Sequence, residues 1–110
     1  MEIDYGTRRL EKQMTNATEM KKAFGEMAKK VSMRLAEMRA SPNLAALMQI
    51  PAPKCHALAG NKYGEWAVSI SPNHRLIFII ANEPVPVNQD ESINTFMVTA
   101  ITVIRTEDYH

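Results

Sequence analysis

A chain of 110 residues, 45% hydrophobic and 23% charged, buries roughly 60 to 70% of its unfolded surface, which suits one core, and its composition is that of a globular rather than a disordered protein. A single cysteine excludes an internal disulfide framework and fits a reducing compartment; no apolar run approaches the roughly 20 residues that span a bilayer, and the start, MEIDYGTRRL, lacks the apolar core of a signal peptide, so a cytoplasmic location away from membranes is expected. The net charge of +1 points to no partner by itself, but residues 1–40 carry nine Lys or Arg against six acids, residues 41–82 three against one, and residues 83–110 one against five, so the first two segments suit a polyanion and the last does not.

In chain order, Ile3 and Tyr5 alternate with Glu2 and Asp4, which predicts a short strand ended by Gly6. TRRLEKQM follows as a short helix with Leu10 and Met14 on one face. Asn16, with Glu19 three residues on, has the spacing of an N-terminal cap and opens an apolar stripe through Met20, Phe24, Met27, Val31, Leu35 and Met38. Gaps of three and four are the helix period, so the stripe predicts one long helix packed on one side only, with Lys21, Lys22, Glu26, Lys29, Lys30, Arg34 and Glu37 mostly off the stripe. Ser41-Pro42 stops this helix, a short helical turn runs from Leu44 to Met48, and Pro51 and Pro53 end it.

From residue 55 the period changes to two. Trp66, Val68 and Ile70 alternate with Glu65, Ala67, Ser69 and Ser71 as a half-buried strand, with Trp66 expected between sheet and helix. Ser71-Pro72-Asn73-His74 has turn chemistry, Arg75 to Ile80 is an almost wholly apolar strand suited to a sheet centre, and residues 83–94 form a polar connection. Thr95 to Thr106 reads as the last strand and delivers Asp108, Tyr109 and His110 behind it. The order predicts a single α+β domain over residues 1–110, two N-terminal helices on one face of a small twisted antiparallel sheet.

No metal-ligand set is apparent, since Cys55 and His56 are adjacent, point to opposite faces of an extended chain, and have no second CxxC or HxxxH to join them. His56 reads either as a strand-end histidine bonded to backbone or as a chemical group. Arg75, opening the most apolar strand, requires an anionic partner or a place at the sheet's end; Glu65 or Asp108 would serve it structurally, and a phosphate would serve it functionally. If the last strand lies beside the strand from Arg75, then His56, Arg75 and the residues Asp108, Tyr109 and His110 converge. Two imidazoles, a guanidinium, a phenol and a carboxylate without a metal suit RNA scission by attack of a 2′-hydroxyl on its own phosphate, with one group taking the hydroxyl proton and another protonating the leaving 5′-oxygen.

The series KCHALAG, GEWAVSI, NHRLIFII and EDYH, behind a strand and helices, resembles the HigB-like branch of the RelE/ParE toxin superfamily over nearly the whole chain. The resemblance rests on His56-x-Leu58-x-Gly60, Gly64-x-Trp66, Asn73-x-Arg75-Leu76-Ile77-Phe78 and Asp108-Tyr109-His110. It implies a type II toxin that cleaves mRNA on the ribosome without a cofactor and is silenced by an antitoxin, a HigA-like helix-turn-helix protein. It further implies catalytic roles for His56, Asp108, Tyr109 and His110, with Arg75 at the same site, and RNA contacts from Lys54 and Lys62. Family members often carry a lysine before the glycine of H-x-L-x-G, where this chain has Ala59; Lys62 or Arg75 would then supply the cation. The ParE branch has the same architecture but inhibits DNA gyrase by contact, a role with no chemical need for two imidazoles.

Overall fold

The computed structural model describes residues 1–62 and 64–108. Five strands, β1 (Glu2–Tyr5), β2 (His56–Ala57), β3 (Trp66–Ser71), β4 (His74–Ile80) and β5 (Ala100–Asp108), form one sheet in the order β1-β5-β4-β3-β2. The helices α1 (Arg8–Thr15), α2 (Ala17–Phe24), α3 (Ala28–Ala40) and α4 (Leu44–Met48) make the second layer of an α+β domain. Strands β2 to β5 are antiparallel neighbours: the two-residue turn between β3 and β4 requires it there, and the longer connection over residues 81–99 returns β5 beside β4. The sheet as a whole is mixed rather than antiparallel, because β1 joins β5 in parallel, Glu2 opposite Ala100 and Tyr5 opposite Val103. The intervening helices carry the chain from β1 across one face, which leaves β1 free to run alongside β5.

Three helices begin on the caps their sequences offer: the Thr7 Oγ1, Asn16 Oδ1 and Asn43 Oδ1 atoms accept from the backbone N–H groups of Leu10, Glu19 and Ala46 at 3.0, 3.0 and 2.8 Å. The stripe read as one long helix is two. A 3-10 turn at Gly25–Met27 separates α2 from α3, and Gly25 has φ +53 and ψ −124, a backbone state that suits a residue without a Cβ. Phe24 and Met27, at the break, are only half-buried, whereas Val31, Leu35 and Met38 on α3 are fully enclosed. These pack against Trp66, Val68, Ile70, Leu76, Phe78, Ile101 and Val103, and Trp66 retains 7% exposure, as its place between sheet and helix requires.

Arg34, read as part of the polar face, is instead 4% exposed. Its Nε donates to the Ser69 carbonyl at 2.6 Å, Nη2 to the Ala52 carbonyl at 3.4 Å, and Nη1 to Glu37 Oε1 at 2.8 Å. The turn after α4 folds back over this part of α3, and a guanidinium with several donors serves the carbonyls it would otherwise strand.

The last strand also starts later than expected. Thr95–Met97 form a 3-10 turn with Phe96 and Met97 exposed, and β5 opens at Ala100. Within β5 the register with β4 slips by one: Phe78 faces Val103, but Ile77 faces Arg105. Ile104 is the extra residue of a β-bulge. Without it, strict alternation would send Arg105 and Glu107 to the same side as Ile101 and Val103, into the helices; the bulge turns them to the opposite, open face.

Candidate functional site

That open face holds a compact set of charges. Arg75 stands opposite Glu107 in the β4–β5 register, and Arg105 stands opposite Ile77 one pair along. The Glu107 carboxylate accepts from Lys62 Nζ at 2.6 Å, from Arg105 Nη2 at 3.0 Å and from Arg75 Nη2 at 3.3 Å. Arg105 also forks onto Glu65, at 3.0 and 2.6 Å to its two oxygens. Lys62 arrives from the 3-10 turn Gly60–Lys62, which is held to the start of β3 by the Glu65 N–H donating to the Lys62 carbonyl at 3.0 Å. The β2–β3 connection is thus tied across two further strands to β5. Beneath this layer Ala67 and Ile77 are fully buried although they face away from the helices.

The charges gathered here shift the titration of Glu107, Glu65 and Arg105. The hydrogen bond from Lys62, followed by those from Arg105 and Arg75, pulls the Glu107 carboxyl down to about 2 from the usual 4.5. The Arg105 hydrogen bond lowers Glu65, and Glu65 in turn raises Arg105. Arg75 and Glu107 side chains are 15% and 16% exposed, so the cluster is accessible from one side only.

His56 belongs to the same face. It pairs with Ala67, Ala67 with Ile77, and Ile77 with Arg105, so His56 and Arg105 end one row across four strands. The imidazole is exposed, and its Nδ1 donates to the Lys54 carbonyl at 2.8 Å. That bond fixes the ring through Nδ1 and leaves Nε2 as the nitrogen for proton exchange. His56 and Arg75 are two strands and two residues apart, about 12 Å between Cα atoms on ordinary sheet spacings, within reach of an extended guanidinium and one nucleotide. Lys54, with φ +49, is exposed two residues before His56. Cys55 between them is buried, and burial pushes its thiol up to about 12, which makes it an inert core group.

Beside β2, Ala57, Leu58, Trp66, Ile79, Val85 and Ile93 line an apolar hollow of about 220 Å³.

Of the residues singled out in the sequence, His56, Lys62 and Arg75 therefore share one face. The carboxylate that Arg75 bonds across the sheet is that of Glu107, where the sequence suggested Glu65 or Asp108, because the bulge at Ile104 swings Glu107 round to it. Asp108 alternates to the other face, opposite His74, with 3.8 Å between Asp108 Oδ2 and His74 Nε2. Tyr109 and His110 lie outside the described residues. Sequence reasoning missed Glu107 and Arg105 as members of the site. Their spacing of two, Arg-x-Glu after an apolar run, was the signal that both share a face. Among the described residues no three His, Cys, Asp or Glu side chains gather as a metal site, and no helix is long and apolar enough to cross a membrane.

No family model matches the chain, and no curated protein matches it either. Solved structures do. A YoeB/ParE toxin from Agrobacterium tumefaciens superposes with a TM-score of 0.59 at 13% identity, covering 100% of both chains. A histidine-to-glutamine variant of YafQ from E. coli gives 0.55 at 14% identity, over 97% of this chain and 91% of that one. YafQ from E. coli strain BL21(DE3) gives 0.51 at 14% identity over the same shares, 97% and 91%. At such identities the likeness is one of fold, shared over 97 to 100% of this chain.

Proposed function

We propose that the chain is the toxin of a type II toxin–antitoxin pair, of the HigB-like kind within the RelE/ParE superfamily, and that it cleaves mRNA on the ribosome in the cytoplasm. The observation that carries this reading is the gathering of Lys62, Arg75 and Arg105 with His56 on the sheet face that the helices leave open, on a fold shared with a YoeB/ParE toxin.

In the proposed reaction a nucleotide's 2′-oxygen attacks the adjacent phosphorus, the bond from phosphorus to the 5′-oxygen breaks, and a cyclic phosphate and a 5′-hydroxyl result. His56 and His110 exchange the two protons, one taking the 2′-hydroxyl proton and the other supplying the 5′-oxygen. With Nδ1 on the Lys54 carbonyl, the Nε2 of the exposed His56 serves either task. Arg75, with Lys62, meets the charge that grows on the phosphate oxygens. Tyr109 stacks on a base, Asp108 orients a neighbouring group from the other face of β5, beside His74, and Lys54 and Lys62 hold the RNA backbone. A HigA-like helix-turn-helix antitoxin silences the protein by covering this face or keeping it off the ribosome.

Expression from an inducible promoter, followed by primer extension on cellular mRNA, tests the reading. Growth arrest with new mRNA 5′ ends, both lost in His56→Ala, is the expected outcome. Arrest with intact mRNA would contradict it and point to a protein target such as DNA gyrase.

A further inference from the structure

The cations that the proposed reaction needs are already engaged. Lys62, Arg75 and Arg105 all bond the one carboxylate of Glu107, at 2.6, 3.3 and 3.0 Å, and the second carboxylate of the cluster, Glu65, is taken up by Arg105. A carboxylate and a phosphodiester present the same face to such donors: a single negative charge spread over two oxygens that only accept. We propose that Glu107 is a resident mimic of the RNA phosphate, filling the anion-binding position that Lys62, Arg75 and Arg105 define, so that the substrate's phosphate enters by displacing it.

Two structural features support displacement rather than permanent structure. Glu107 lies one pair from the end of the β4–β5 ladder, opposite Arg75, where β4 begins at His74. Lys62 sits on a short turn flanked by Gly60 and Gly64, both at positive φ, +70 and +91, and Glu107 is what ties that turn across the sheet. Exchange of Glu107 for phosphate would therefore move Lys62 from β5 to the substrate and release the β2–β3 connection from this tie to β5. The depressed titration of Glu107 agrees with a carboxylate held by cations rather than by solvent. The consequence is weak binding of free RNA, with mRNA presented on the ribosome supplying the contacts that outweigh the resident carboxylate. The inference rests on the RNA-cleavage reading above and specifies how substrate reaches that site.

The test uses binding, not cleavage, so that the two can fail separately. A short, fully 2′-O-methylated RNA, which has no 2′-hydroxyl to attack, is titrated into wild-type protein and Glu107→Gln across a range of salt, with circular dichroism to establish that both are folded. Glu107→Gln should bind at least about 10-fold more tightly, the scale of one charged hydrogen bond. Its salt dependence should steepen by about 0.7 in log–log slope per phosphate gained. Adding Lys62→Met to Glu107→Gln should reverse the gain. Equal affinity and slope for wild type and Glu107→Gln would overturn the proposal.

Carbon-13 titration of the Glu107 carboxyl in wild-type protein decides the matter independently of any variant. Saturating RNA should move its pKa from about 2 toward the ordinary carboxylate range; an unmoved value overturns the proposal. Failure of the wild type to cut mRNA would overturn the nuclease reading and leave both binding results standing.

Discussion

The two faces of the sheet use the same strands under opposite physical regimes. On the helix side Trp66, Val68, Leu76, Phe78, Ile101 and Val103 are buried against α3 and α4 and interact by contact alone. Burial of each such side chain contributes about 1.5 to 3 kcal/mol. On the open side the same strands hold Arg75, Arg105 and Glu107, with Glu65, just before β3, and Lys62 folded onto them. Ion pairs at such half-open positions contribute about 0 to 1 kcal/mol each, because solvent competes for both partners. One face thus holds the molecule together, and the other holds charges in place at little benefit to stability. Substitutions on the two faces should separate cleanly in what they damage.

The largest effect belongs to the helix side. Trp66→Ala should cost about 3 to 5 kcal/mol, a large part of a small domain's stability, and lower the melting temperature accordingly. A folded variant with unchanged thermal unfolding would break the comparison. Loss of Tyr109 and His110 should do the reverse, changing stability by less than about 1 kcal/mol while slowing cleavage on programmed ribosomes by about 100-fold or more. Normal cutting by the shortened protein would assign the proton transfers elsewhere.

Deleting Ile104 sharpens the comparison, because it removes the extra residue yet leaves Val103 opposite Phe78 and Arg105 opposite Ile77. Both faces keep their residues, so the variant should fold, with a loss of no more than about 2 kcal/mol for one half-buried side chain. Failure to fold would mean the bulge does more than turn β5 over.

The smallest effect is in acid. Because the folded Glu107 carboxyl sits at about 2, below its ordinary 4.5, its contribution is fully present above 4.5 and is lost as pH falls from there through 2. Urea midpoints of wild type and Glu107→Gln should therefore differ modestly at pH 7 and converge in strong acid. A constant difference over that window would contradict the assignment of Lys62, Arg105 and Arg75 as the cause of the shift.

The helix side was legible because one-dimensional periods record it. Trp66, Val68 and Ile70 alternate, Val31, Leu35 and Met38 repeat at helix spacing, and the cap at Asn16 is local in sequence. What escaped were events that depend on a single residue or on distant chain. Gly25 breaks the stripe without altering its period. Ile104 reads as an ordinary β-branched strand residue, yet inverts every side chain after it. Arg34 looks like a surface charge until the turn after α4 closes over it. The candidate site was legible in part, through His56, Lys62 and Arg75, whereas the dominance of Glu107 follows only from strand pairing.

The most direct test of the nuclease reading is the chemistry of the product ends. Purified wild-type protein is added to ribosomes programmed with a defined mRNA, and the fragments are assayed for their terminal groups. Attack by the 2′-hydroxyl predicts fragments ending in a 2′,3′-cyclic phosphate and beginning with a 5′-hydroxyl, absent when His56→Ala or Arg75→Ala replaces the wild type. Intact mRNA, fragments beginning with a 5′-phosphate, or undiminished cutting by both variants would contradict the account.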